Sequence, residues 1–274
     1  METTTGSRMR FRFGRNWRSY MRVIGDERVR SAKCSLEEML GAGALQGATF
    51  LDVGCGSGLF SLAAARLGAA RVRSFDCDGE SVAATQEVKR RFAPDAGAWQ
   101  IEQGDVLDEG YLRSLGEWDV VYAWGVLHHT GEMWRALENA MSRVRPGGTI
   151  FIAIYNDQGA LSRIWRTIKR GYNRSRPTRW AIIALFVPAM VLHGAVMDVV
   201  RARRNPLDRY RSYAQRSRGM SPRHDWLDWL GGYPYEVARP REVVGFCEAR
   251  GFETKTVRVV DGWGCNQFVF RRAR

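Results

Sequence analysis

The chain of 274 residues is short of several things, and each shortage removes a class of function. Five cysteines and four histidines form neither a C-x-x-C pair nor a His/Cys cluster, so no zinc ribbon or finger is expected, and no metal. The odd, scattered set Cys34, Cys55, Cys77, Cys247 and Cys265 offers no disulfide framework and is expected as free thiols in a reducing compartment. METTTGSRMRFRFGRNW lacks the apolar stretch of a secretory signal, which makes the cytoplasm the expected location. No internal period or low-complexity tract suggests a solenoid. Acidic residues are outnumbered by basic ones, 29 to 42, but unevenly. Residues 49–155 carry 14 acidic and 10 basic side chains, whereas residues 156–232 carry 5 and 15. That second segment would attract an anionic partner, or simply form a solvated basic face.

What the chain does have is FLDVGCGSG at 50–58, an apolar run that breaks into a glycine turn, followed by LFSLAAARLG with helical spacing. A strand, a tight turn and a helix start put free amides and the positive end of a helix dipole beside backbone with no Cβ in the way. A nucleotide-like ligand with a carboxylate or phosphate fits there. The next strand, VRSFDCD, carries Asp76 about 20 residues beyond the turn, where a βαβ unit holds ribose hydroxyls. The glycines follow G-x-G-x-G behind Asp52 and not G-x-G-x-x-G, which points away from NAD.

LDVGCGSG, SFDCD, QGDVLD and WDVVYAWGVLHH, in that order, resemble the successive motifs of class I S-adenosylmethionine-dependent methyltransferases. The resemblance covers residues 50–156 and the segment from Arg239 onward. WGVLHHTG, IAIYNDQG and GGYPYEVA are similar to a bacterial subgroup distantly like quinone-biosynthesis O-methyltransferases, a likeness that names no substrate. The resemblance implies that Gly54 and Gly56 lie against the methionine part of S-adenosylmethionine, that Asp76 binds the ribose hydroxyls, and that Asp105 accepts from the adenine amino group. Cys55, Cys77, Val106 and Trp124 fall in the same motifs and are counted with the cofactor, Asp52 ordering the turn. S-adenosylhomocysteine would be the product.

Strands near 50–54, 71–76, 98–103, 118–123 and 148–154 alternate with helical stretches, and RPGG at 145–148 reads as the turn launching the fifth. ETKTVRVV and NQFVFRR read as an antiparallel hairpin around Gly262-Trp263-Gly264. The expected fold is α/β, a doubly wound, mostly parallel seven-stranded sheet of Rossmann-like methyltransferase type. Its parts would be an N-terminal helical lid (1–48), the cofactor-binding core (49–155), a basic and partly apolar helical insertion (156–238), and a helix with the closing hairpin (239–274). Ligands bind outside the carboxyl ends of such strands, so Gly54, Asp76, Asp105, Trp124 and Asn156 should share one rim.

Residues 11–42 look helical with a turn at Asp26-Glu27, and Phe13, Asn16 and Trp17 are candidates to cover the cofactor. His128 and His129 follow the fourth strand, where a neutral imidazole can take a proton from a hydroxyl or amine as it is methylated. Tyr155, Asn156 and Asp157, with His224, Tyr233, Tyr235 and Glu236, are candidates to shape the acceptor pocket. Residues 180–197 contain no Asp, Glu, Lys or Arg, a length bordering on a membrane span. Chain on both sides of that run belongs to one sheet, which excludes a single crossing. The run is then either a buried cap or dimer helix, with His193, Met190 and Met197 in a core, or a helix in an anionic interface between arginine flanks.

The expected function is methyl transfer to a small-molecule or lipid-linked acceptor, O-methylation favoured, by a cytoplasmic protein that touches the inner face of the membrane if the interfacial reading holds. RNA methylation and a non-catalytic cofactor-binding accessory are the alternatives. The apolar run inside the basic segment disfavours nucleic acid. Acceptor atom and oligomeric state stay open.

Overall fold

The central runs VVYAW at 120–124 and TIFIAIY at 149–155 have no polar face to give to water, so they must be covered by helices on both sides. The computed structural model describes residues 11, 13–14, 17, 24–200, 203, 205–216, 221–262 and 264–274, which leaves the candidate Asn16 and the turn residue Trp263 outside. In chain order the elements are α1 (Asp26–Leu40), β1 (Thr49–Val53), α2 (Leu59–Arg66), β2 (Arg71–Asp76), α3 (Gly79–Phe92), β3 (Trp99–Gln103), α4 (Glu109–Ser114) and β4 (Trp118–Trp124). A 3₁₀ turn (Leu127–His129) leads to α5 (Met133–Met141), β5 (Val144–Tyr155), α6 (Ala160–Arg174) and α7 (Arg176–Val200). The chain ends with α8 (Pro206–Arg211), α9 (Tyr213–Arg216), α10 (Pro222–Gly231), α11 (Pro240–Glu248), β6 (Phe252–Arg258) and β7 (Cys265–Arg272).

Seven strands form one sheet in the order β3-β2-β1-β4-β5-β7-β6. The first five are parallel, and β7 enters antiparallel between β5 and β6. Strand order reverses between β1 and β4, so their carboxyl ends open the crevice in which such sheets bind ligands. One face is closed by a core of Leu51, Val121, Leu137, Ile152, Val243 and Phe268, the other by Phe50, Leu62, Val72, Trp99 and Phe151. Strand β5 starts at Val144 and takes in the RPGG segment, with a register shift between Trp118 and Val120 of its partner β4. A Pro-Gly-Gly run can sit in a strand end where an irregularity relieves the missing donor.

Two expectations change. Asp26 and Glu27 open α1, where carboxylates favour a helix N-terminus, instead of forming a turn. Val29, Ala32, Leu36 and Met39 then bury α1 in the core beneath α2, so α1 is a core layer and no lid. Phe11, Phe13 and Trp17 are the described residues of that region that reach the cofactor rim.

The insertion folds as helices over the strand ends. Ile182, Ile183, Phe186, Val187 and Met190 of α7 pack toward Trp165, Ile168 and Tyr172 of α6. The opposite stripe of α7 is bare, with Trp180, Leu185, Leu192 and Val200 each about two-thirds exposed. His193 lies on that exposed side and is not the buried histidine expected, whereas Met190 packs against the aromatic cluster as expected and also reaches the cavity described below.

Candidate active site

The glycine turn between β1 and α2 is forced by backbone geometry. Gly54 and Gly56 sit at φ 74° and 55°, the left-handed region that side chains resist. A Cβ on Gly54 would come within 2.5 Å of the Val126 side chain, and one on Gly56 within 3.0 Å of the Trp17 indole. Helix α2 opens at Gly58 with no side-chain cap, which leaves its first amides and dipole to the loop side. Beneath the turn Ser61 donates to the buried Asp52 carboxylate. Asp52 thus ties α2 to β1, and burial pushes its carboxyl up to about 7 against that hydrogen bond.

At the end of β2 the Asp76 carboxylate accepts from the Gly56 amide at 3.0 Å and from the Asp78 amide at 2.9 Å. Burial raises it to about 6 in spite of those bonds. After β3, Asp105 accepts from the Leu107 amide at 2.9 Å, which sets its side chain at the rim. All ten residues expected around the cofactor (Trp17, Asp52, Gly54, Cys55, Gly56, Asp76, Cys77, Asp105, Val106 and Trp124) line one cavity of about 720 Å³. Every Asp, Glu, Lys or Arg among the described lining residues is an aspartate: Asp52, Asp76, Asp78, Asp105, Asp225 and Asp228. That set of acceptors suits the sulfonium and ammonium, ribose hydroxyls and adenine amine of S-adenosylmethionine, and the uncapped amides at the start of α2 suit its carboxylate, so the residues fit it.

The two histidines separate. His129 lines the cavity, and its Nδ1 lies 2.6 Å from the Pro234 carbonyl. A carbonyl only accepts, so Nδ1 carries the hydrogen and Nε2 is left as the basic nitrogen. Burial lowers the imidazole, which keeps it unprotonated at neutral pH. His128 is fully buried behind it, its ring 4.1 Å from that of Tyr155, and does not line the cavity. Burial and the neighbouring His129 and Lys169 hold it well below the ordinary value. As a candidate base His128 is corrected to a packing residue, because a 3₁₀ turn sends adjacent side chains in different directions.

Of the acceptor candidates, Tyr155 and Tyr233 line the cavity and the others do not. Asn156 donates to the Val260 carbonyl at 3.3 Å and accepts from Asn266 at 3.1 Å, closing the end of the β6–β7 hairpin. Asp157 accepts from the Gly159 amide at 2.9 Å and pairs with Arg239. His224 is buried with its Nδ1 2.5 Å from the Ser221 hydroxyl. Tyr235 packs behind Tyr155, and Glu236 accepts from the Met133 amide at the start of α5. These five corrected candidates (Asn156, Asp157, His224, Tyr235 and Glu236) spend their polar groups on the fold, the Tyr235 hydroxyl on Ser162. Residues not singled out from the sequence take their place, Tyr122, Asp225, Trp226, Asp228 and Trp229, together with Met190, which was expected in a core. The spacing DWLDW is helical, and that alone could have put both aspartates and both tryptophans on one side of α10.

Residues 51–150 match the model of a methyltransferase domain. The chain is 38% identical over 118 residues to the ribosomal protein L11 methyltransferase of Methylococcus capsulatus, covering 42% of this chain and 36% of that protein. It is 32% identical over 130 residues to the ubiquinone biosynthesis O-methyltransferase of Methylobacterium sp., covering 47% and 50%. The chain thus spans half or less of the length of these curated relatives. Among solved structures, magnesium protoporphyrin IX methyltransferase from Synechocystis PCC 6803 shares the fold, with a TM-score of 0.54, 14% identity, and 94% of each chain covered.

Proposed function

This chain carries a class I S-adenosylmethionine-dependent methyltransferase domain, and from that premise we propose that it transfers a methyl group to a hydroxyl of a small or lipid-linked acceptor. One observation carries the reading: the glycine loop, Asp76 and Asp105 share a cavity with His129, Tyr155 and Tyr233. The cofactor, when bound, supplies an already activated methyl on a sulfonium. The chain's part is therefore alignment, exclusion of water and acceptance of one proton. Gly54 and Gly56 admit the ligand to the backbone, Asp76 holds hydroxyls, and Asp105 takes an amine hydrogen. His129 Nε2 accepts the acceptor's proton as the new bond forms. Phe11, Phe13, Trp226 and Trp229 make the remaining wall mostly apolar, with Asp225 and Asp228 beside the two tryptophans.

An uncharged or apolar acceptor suits that wall. Because Met190 of α7 lines the cavity while the far side of α7 is bare and flanked by arginines, a bilayer-borne acceptor is the finer reading. The test is transfer of labelled methyl from S-adenosylmethionine to catechols with and without a long alkyl tail. Transfer to the tailed compound with a lower KM supports the reading. Tight cofactor binding by calorimetry with no transfer to any hydroxyl, and none to RNA, would leave a non-catalytic binding protein.

A further inference from the structure

Helix α6 carries Arg166, Lys169 and Asn173 at i, i+3 and i+7, one face of a helix. All three reach the same strip of backbone. Arg166 Nε donates to the Tyr235 carbonyl at 3.2 Å, Lys169 Nζ to the Trp229 carbonyl, and Asn173 Nδ2 to the Gly231 carbonyl at 2.7 Å. Trp229 and Gly231 lie in the last turn of α10, whose carbonyls have no partner within their own helix and favour a cation. Lys169 is completely buried, its ammonium 4.3 Å from the Trp229 ring centre, 4.9 Å from Tyr235 and 5.5 Å from Tyr155. An aliphatic side chain would fill that space with no charge to desolvate.

The strip so held is the one that sets His129. Between the Gly231 and Tyr235 rungs lies the Pro234 carbonyl that takes the Nδ1 hydrogen. On its other side the strip is tied to the 3₁₀ turn by the Glu236 amide, which donates to the His128 carbonyl at 3.0 Å. We infer that Lys169 is a positioning residue for His129: with Arg166 and Asn173 it clamps residues 229–235 so that the Pro234 carbonyl selects the tautomer with Nε2 open to the cavity. Lys169 is absent from the cavity wall and touches no acceptor, so it reaches His129 through that backbone, with its charge adding to the lowering of the imidazole. The consequence for turnover rests on His129 being the proton acceptor; the consequence for its tautomer does not.

The test uses the full chain with ¹⁵N-labelled histidine, in the wild type and in Lys169→Met and Asn173→Ala. The wild type should show His129 as a single Nδ1–H tautomer. Lys169→Met should show exchange between tautomers and lower kcat about tenfold or more, with cofactor affinity unchanged. Asn173→Ala, which removes an outer rung, should shift the same signals less. His129 remaining wholly Nδ1-protonated in both variants would overturn the inference. If the tautomer moves in Lys169→Met but His129→Ala retains full turnover, the clamp stands and the proton-acceptor reading falls.

Discussion

Lys169 also makes a stability prediction, because an ammonium with one carbonyl partner and three aromatic faces is poorly compensated for lost water. Burial lowers it from 10.5 to about 7. A base held below its ordinary value binds fewer protons folded than unfolded, so stability should rise with pH between about 7 and 10.5 and be lowest below that window. The full interval corresponds to roughly 5 kcal/mol at 25 °C. Replacing Lys169 by Met removes this term and leaves the Trp229 carbonyl short of one donor, worth about 1–3 kcal/mol. At pH 6 the variant should therefore be more stable by roughly 2–4 kcal/mol, even though its turnover is expected to fall. Between pH 6 and 9 the wild type should regain roughly 2–3 kcal/mol on the variant as the lysine sheds its proton only in the folded state. Taking the difference between the two proteins cancels Asp52 and Asp76, which are also displaced by burial, and His129, lowered to about 3 by burial with a smaller push from Lys169, titrates in the folded state below this range. Urea titrations of both at pH 6, 7, 8 and 9 measure it. A difference that stays constant over that range, or a variant less stable at pH 6, would refute a buried cation at this position.

Asp76→Ala should weaken S-adenosylmethionine binding by about 1.5–3 kcal/mol through the loss of charged hydrogen bonds, and equal affinities by calorimetry would remove Asp76 from the site. Asp76 stands at about 6 without ligand, and hydroxyl donors favour its ionised form, so binding near pH 6 should release protons and affinity should fall at lower pH. Heats measured in buffers of different ionisation enthalpy report that release. His129→Ala should lower kcat by roughly 10²–10⁴ at unchanged cofactor affinity, whereas His128→Gln should change thermal stability more than kcat, and the reverse order would return the role to His128. Vesicles with an anionic lipid should float with the protein at low salt and release it at high salt, since screening acts over about 10 Å at 0.1 M. Trp180→Ser with Leu185→Ser and Leu192→Ser should abolish flotation; a triple variant that floats as before excludes that stripe.

The sheet was legible because each core strand is a short apolar run ended by a turn, and the connections follow from parallel pairing. The cofactor end was legible for a related reason. Asp76, Cys77, Asp105 and Val106 each lie within three residues of a strand end, so local pattern places them. The acceptor side depends on how α6, α7 and α10 pack, and no local pattern reports that. Asn156 and Glu236 looked as available as Tyr155, but their polar groups close a hairpin and a helix start. Lys169 reads as one more cation on a basic helix; only the packing of Trp229 and Tyr235 around it makes it buried. The 3₁₀ turn likewise divides two adjacent histidines that look equivalent in sequence.

Helix α7 is long and apolar enough by length and composition to cross a membrane, yet the pairing around it decides against that. Residues 149–155 on one side of the insertion pair in register with residues 265–271 on the other, so both flanks belong to a single sheet. Crossing would tear β7 from β5. A re-entrant dip of α6 with α7 is no better, because exposed arginines at 163, 166, 170 and 174 would enter hydrocarbon with the hairpin. Lying flat is the remaining membrane geometry: the bare stripe from Trp180 to Val200 extends about 30 Å at 1.5 Å per residue, and arginines at both ends stay at headgroup level. Asp198, the one carboxylate within α7, is buried against Arg209 at 2.6 Å. In that orientation the inner side of the same helix keeps Met190 at the cavity, which is the arrangement the proposed bilayer-borne acceptor requires.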